Sequence, residues 1–255
     1  MIVEDINILI KHGKQFIPDV TKAEVPAPFR GRPVITSDSS SHDNALMRLC
    51  PFDAISSQPL RIDLGKCGFC GECELAFPST IRFTNDHKIA SNTTEKLLVK
   101  EGVDQEITLD ENAIRNEIQT FFNGSLKLRQ VSAGGDNSTE MELGACGNVN
   151  FDVGRFGIEF VASPRHADGI VVSGPISENM AEALRIAYEA VPSPKLFILA
   201  GVDAISGGIF KDSQALDRRI LNEIGVDLYV PGNPPHPLTF INGILELTRK
   251  KYRRI

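Results

Sequence analysis

From residue 126 onward, apolar and polar positions alternate between two periods. Leu126 to Val131 sets Leu126, Leu128 and Val131 among polar residues, and Ile158 to Ala162 and Ile170 to Ser173 are short apolar runs, all readable as strands. Between 177 and 190 the period lengthens, with Met180, Ala183, Leu184, Ala187 and Tyr188 on one helical face before Pro192 and Pro194. Residues 195–200 are almost wholly apolar, as in a strand covered on both sides. A helix over 217–224, a strand over 226–230 and a helix from Leu238 to Leu247 complete the series. Strands alternating with helices predict an α/β layer, a doubly wound parallel sheet with helices on both faces.

The first half reads differently. Ile6, Ile8, Leu9 and Ile10 make a short amphipathic start, and Pro26, Pro28 and Pro33 then impose an extended arm. Val25 and Phe29 give that arm something to dock with. Over 37–90 only short strands are expected, Ala54-Ile55 and Ile81, with Leu60 to Leu64 and Ile89 as their hairpin mates. Residues 91–105 form a polar bridge, and Asp110 caps a predicted helix carrying Ile114, Ile118, Phe121 and Phe122 up to Asn123-Gly124. The expected division is therefore an arm (1–36), a small α+β domain (37–90), a linker with a helix (91–125) and the α/β domain (126–255).

A chain of 255 residues with 42% apolar and 24% charged content suits two soluble globular domains. The net charge of −6 argues against non-specific nucleic-acid binding. No apolar run reaches membrane-span length, and Met1-Ile-Val-Glu-Asp lacks the order of a secretion signal, so a cytoplasmic location is expected. The basic run Arg249 to Ile255 suits a helix C-terminus or an anionic surface. Dinucleotide fingerprints, phosphate loops, serine triads and zinc-protease helices are missing from the sequence.

The cysteines change the picture. Cys50-Pro51 and Cys67-Gly-Phe-Cys70-Gly-Glu-Cys73 are half of a two-cluster ferredoxin pattern, in which the last Cys of one motif ligates the cluster held by the other. Cys50, Cys67, Cys70 and Cys73 thus form one ligand set for a [4Fe–4S] cluster. The complementary positions hold Ser40, Asp43, Leu46 and Phe77, so one cluster is expected and not two. Gly68 and Gly71 let the loop wrap closely. Zinc also takes four thiolates but usually from two separated pairs, so the spacing favours the cluster. Cys146 stands alone with no base beside it and reads as a buried small residue.

Ligands of open α/β sheets sit off the carboxyl ends of the strands. Three loops are predicted there, 133–140, 201–208 and 231–237, each rich in Gly or Pro.

Four runs carry a family resemblance: Asp152-Val-Gly-Arg-Phe-Gly-Ile158, Ala162-Ser-Pro-Arg-His-Ala-Asp168, Ser206-Gly-Gly-Ile-Phe210 and Val230-Pro-Gly-x-Pro-Pro235. Through them residues 126–252 resemble the small (20 kDa-type) iron–sulfur subunit shared by respiratory complex I and membrane-bound [NiFe] hydrogenases, formate hydrogenlyase included. Residues 18–90, with Pro28-Phe-Arg-Gly-Arg-Pro33, resemble the ferredoxin-type subunit of the same complexes. The chain thus resembles a fusion of two subunits, and the resemblance implies a flavodoxin-like sheet behind a ferredoxin-like [4Fe–4S] domain.

That family binds a proximal [4Fe–4S] cluster with four cysteines on the three loops. The matching positions here are Asp136, Thr139, Asp203 and Asn233, while the family's Glu is kept as Glu142. Such hard side chains suit water or hard cations better than iron–sulfide, so the proximal site reads as degenerate. Asp136, Asp203 and Glu142 gather a small cation or proton, or else polar side chains and water refill the cavity, which is the favoured reading. His236 in the Pro-rich loop is a further group near that pocket. Arg165, His166 and Asp168 are implied at a partner interface.

The implied partners are a large subunit of the hydrogenase or complex I kind and membrane-arm subunits. Nucleic acid is not among them, and membrane contact runs only through partners. The chain is then at most a non-catalytic subunit of an oxidoreductase complex. It passes single electrons through one cluster or, alternatively, is a non-redox interaction subunit that the cluster stiffens.

Overall fold

The computed structural model describes residues 2–13, 15–36 and 43–249. Ser40 and residues 250–255 of the basic tail lie outside the described residues.

Helix α1 (Ile2–His12) leaves Val3, Ile6, Ile8, Leu9 and Ile10 exposed. The arm that follows is docked. Val20 and Val25 are buried in the core of the C-terminal sheet, Ile17 N–H donates to Asn150 O (2.8 Å), and Asn242 Nδ2 donates to Val20 O (3.0 Å). The arm ends as strand β1 (Pro33–Ile35).

Helix α2 (Asp43–Leu49), β2 (Ile55–Ser56), β3 (Arg61–Asp63), α3 (Glu72–Ala76), β4 (Ile81–Phe83) and β5 (Leu98–Lys100) build the small module. Strands β2, β3 and β5 form one antiparallel sheet, and β1 pairs with β4 in another. Ile89 is the expected mate of Ile81, but the arm takes that place. Arg32, next to β1, holds the position through ion pairs to Asp86 (3.2 Å) and Asp104 (2.7 Å), and Ile89 turns into the small core instead. Residues 91–125, expected as linker and helix, supply β5 to the small sheet.

The helix expected from Asp110 is broken. A 3-10 turn (Glu111–Ala113), capped by the Asp110 carboxylate, precedes α4 (Asn116–Phe121), with Ile114 and Arg115 extended between them. Arg115 leaves the helical path because its guanidinium forks onto Asp227 (3.0 Å to each oxygen) and reaches Lys195 O (2.6 Å). A bidentate tertiary pair outweighs local propensity.

Then follow β6 (Leu126–Ser132), α5 (Ser138–Ala145), β7 (Ile158–Phe160), β8 (Gly169–Ser173), α6 (Glu178–Ala190), β9 (Leu196–Ala200), α7 (Val202–Ser206), α8 (Ile220–Glu223), β10 (Leu228–Val230) and α9 (Pro237–Thr248). Five strands form a parallel sheet in the order β7-β6-β8-β9-β10, the α/β architecture expected. Both faces are covered. Val171, Ile198 and Ala200 pack with α9, whereas Ile170, Val172, Phe197 and Leu199 pack with α6 and α8, which explains the continuous apolar run of β9. The helix expected over 217–224 is a single turn, because Asp217 caps its own Arg219 in an irregular entry.

The two parts are joined. Ser91 and Tyr229 exchange backbone hydrogen bonds (3.0 and 2.7 Å), Val202 enters the small core, and Lys211 pairs with Asp53 (2.8 Å). Among the described residues no helix is long and apolar enough to cross a membrane.

Candidate metal centre

The four spaced cysteines come from two elements. Cys50 follows the last turn of α2, its N–H bonded to Leu46 O (3.3 Å). A turn after β3, held by Cys67 N–H to Asp63 O (2.9 Å), presents Cys67, and the chain then curls through Phe69 and Gly71, both at positive φ, into α3 with Cys73. A Cβ at Gly68 would collide with the Phe52 ring, so the loop can lie this close only without one.

Cys50, Cys67, Cys70 and Cys73 line one pocket with Phe52, Ile62 and Phe83. Backbone N–H groups of Ala54 and Phe69 point at the Cys50 and Cys67 sulfurs (3.4 Å each). Burial, and then the neighbouring thiols, push Cys67 up to about 12 and Cys73 to about 11. Such thiols are inert as nucleophiles or bases at neutral pH. A bound metal reverses this, since a coordinating thiol is deprotonated outright.

Among the described residues no group of three or more His, Cys, Asp or Glu closes on a single metal ion. Three thiols within seven residues and a fourth on another element is the donor spacing of a [4Fe–4S] ligand set, whereas zinc sites usually draw on two separated pairs. Of the complementary positions, Leu46 is fully buried in the small core and Phe77 packs against it.

At the carboxyl end of the sheet the loops approach one another. The Thr139 hydroxyl stands 2.8 Å from where a Cβ of Gly201 would lie, with Gly232 and Pro235 just beyond. Hydrogen bonds from Ser138 hold Asp136 below the usual carboxylate range (2.9 Å from N–H, 2.6 Å from Oγ). Burial and then the charge of Asp136 raise Asp203, and burial raises Glu142. Asn233 is exposed and lines a separate cavity with His236. Asp136, Thr139 and Asp203 thus gather, while Asp136, Asp203 and Glu142 do not close on a common ion. Cys146 is buried behind α5, its thiol bonded to Glu142 O (3.4 Å).

One residue of this region carries no sequence signal. Arg218 is half-buried and donates to Pro175 O (2.8 Å), Asp203 O (3.1 Å), Ala204 O (2.8 Å) and Ile205 O (2.9 Å), bracing the loop that bears Asp203. Only the fold gathers those carbonyls.

Arg165 and His166 are exposed in a 3-10 turn before β8, at the end of the sheet opposite the three loops. Asp168 does not join them; it exchanges bonds with the Lys127 backbone (2.6 and 2.7 Å).

The family model described as "NADH ubiquinone oxidoreductase, 20 Kd subunit" matches residues 137–247. An NADH-quinone oxidoreductase subunit of Citrifermentans bemidjiense is 36% identical over 150 residues, 58% of this chain and 86% of that protein. The probable membrane-bound hydrogenase subunit mbhJ of Pyrococcus furiosus is 34% identical over 135 residues, 53% of this chain and 81% of that protein. Among solved structures, a chain of the membrane-bound sulfane sulfur reductase, an archaeal respiratory membrane complex, is 29% identical, covers 49% of this chain and 68% of its own, and superposes with a TM-score of 0.43.

Proposed function

Because the chain belongs to the family of the 20 kDa subunit of NADH–ubiquinone oxidoreductase, we propose that it is a peripheral, cytoplasmic-side subunit of a membrane-bound complex of the complex I or [NiFe]-hydrogenase kind. In this reading residues 37–90 are a ferredoxin-like domain whose Cys50, Cys67, Cys70 and Cys73 hold one [4Fe–4S] cluster. The observation that carries it is the convergence of those four thiols on one largely apolar pocket. A cluster there supplies one-electron transfer. The chain's own part is to exclude water with Phe52, Ile62 and Phe83 and to aim backbone N–H groups at two sulfurs.

The proximal site of the family is read here as degenerate. Asp136, Thr139, Asp203 and Asn233 offer hard oxygen or amide donors, which iron–sulfide does not favour. Ser138 already occupies Asp136, and Arg218 fixes the backbone around Asp203. An electron leaving the cysteine pocket therefore has no second cluster within this chain to reach. The partners proposed are a large subunit of the hydrogenase or complex I kind and membrane-arm subunits, with Arg165 and His166 placed to meet one of them.

A second reading makes the cluster structural. It is favoured by Cys67 and Phe69 lying inside the buried core of the small module. Iron and sulfide analysis of the anaerobically purified chain, with EPR of its reduced form, tests the first point: four irons are expected, and eight would refute it. Cys70→Ala separates the readings. Electron transfer requires lost activity in an assembled complex, whereas a structural cluster requires lost assembly.

A further inference from the structure

The arm, the cysteine loop and the Pro-rich loop flank an open cavity of about 170 Å³ outside the cysteine pocket. Arg30, Asn233, His236 and Thr239 supply its polar lining, which among the described residues includes no carboxylate. In a chain of net charge −6 that is an unusual local balance.

We propose that this cavity binds a small oxyanion, of the carboxylate or phosphate class. Arg30 is exposed and, among the described residues, bonds only Phe69 O, at a long 3.3 Å, which leaves most of its donors to a ligand. His236 accepts from Leu238 N–H through Nδ1 (3.1 Å), so its ring proton lies on Nε2, which is a donor. The ring is fixed by edge contacts to Phe29 (5.3 Å) and Phe151 (5.7 Å). Thr239 is 1% exposed, and among the described residues its hydroxyl finds no partner. Buried hydroxyls are rarely left so, and Thr239 is one of the residues around the cavity. His236 is the N-cap of the twelve-residue α9 and Thr239 lies in its first turn, at the positive end of its dipole. The volume is below that of drug-sized or nucleotide pockets, which start at about 300 Å³, so the ligand is small.

The site stands whether or not the cysteines hold a cluster. Its test is thermal unfolding of the full chain in inorganic phosphate and, separately, in acetate, against chloride at matched ionic strength. A saturable rise with either probe beyond chloride is expected. Phosphate alone marks a phosphoryl-type ligand, and both together include carboxylates. Arg30→Gln should weaken the response at least about tenfold, as for a charged donor lost. Thr239→Val, which removes an unpartnered hydroxyl, should melt no lower than the parent without probe yet respond at least about threefold more weakly. No rise beyond chloride overturns the proposal. So does a response that Thr239→Val leaves intact, since a surface arginine would then be acting alone.

Discussion

Lowering the pH should act on one buried residue above others. His87 is 3% exposed, and its Nε2 lies 3.3 Å from Asn242 Nδ2. That amide nitrogen, which also donates to Val20 O (3.0 Å) and Leu238 O (2.8 Å), can only donate, so Nε2 must face it with a lone pair. A proton on Nε2 would oppose N–H to N–H. Burial, with minor like-charge contributions from His236 and Lys88 and partial relief from Asp86, pushes His87 down to about 4 from 6.5. The unfolded chain therefore binds a proton between pH 6.5 and 4 that the folded chain refuses, and stability falls as pH falls through that window. At 1.36 kcal/mol per unit the full loss is about 3 kcal/mol, complete below the folded value and absent above the unfolded one. Other groups titrate too, so the assay is a difference: urea unfolding of the parent and His87→Gln from pH 7.5 to 4. The parent should lose about 3 kcal/mol more than the variant. Equal slopes for the two proteins would refute the assignment of this proton to His87.

Three further outcomes follow from the geometry. Gly68→Ala should drive Phe52 off the cysteine loop and lower the iron content of the purified chain, read by metal analysis against Gly154→Ala, whose added Cβ meets only the Asp152 carboxylate, at 3.8 Å. Arg218→Met strips four loop carbonyls of their donor and should cost roughly 2–4 kcal/mol in chemical denaturation, with faster amide exchange confined first to residues 203–206. Leu46→Ala opens a void in the small core and should cost about 2–5 kcal/mol, while Leu46→Met stays within about 1.5 kcal/mol.

What the sequence conveyed depends on range. Strands β6, β8 and β9 and helix α6 were legible because their own apolar spacing decides which face is buried. The cysteine spacing was equally local, and the fold places those thiols on one pocket. Helix α5 was hidden inside a loop reading because Gly134, Gly135 and Asp136 announce a turn and only Thr139 and Leu143 of the helix are buried. The break at Arg115 depends on Asp227, and the partner of β4 depends on an arm that Arg32 pins through Asp86 and Asp104. Arg218 and the cavity beside His236 have no motif. Each is assembled from segments that meet only in three dimensions.

The bond from Asn242 to Val20 spans 222 positions. The end of the arm can pair with β4 early, but the seat of its middle is completed late, because α9 is made last of the described elements. Until then the cover over Val20 and Val25 is incomplete, although β1 already has β4 to pair with. Losing α9 would therefore loosen the middle of the arm along with the sheet it covers, and proteases should cut such a truncated chain first between residues 15 and 32.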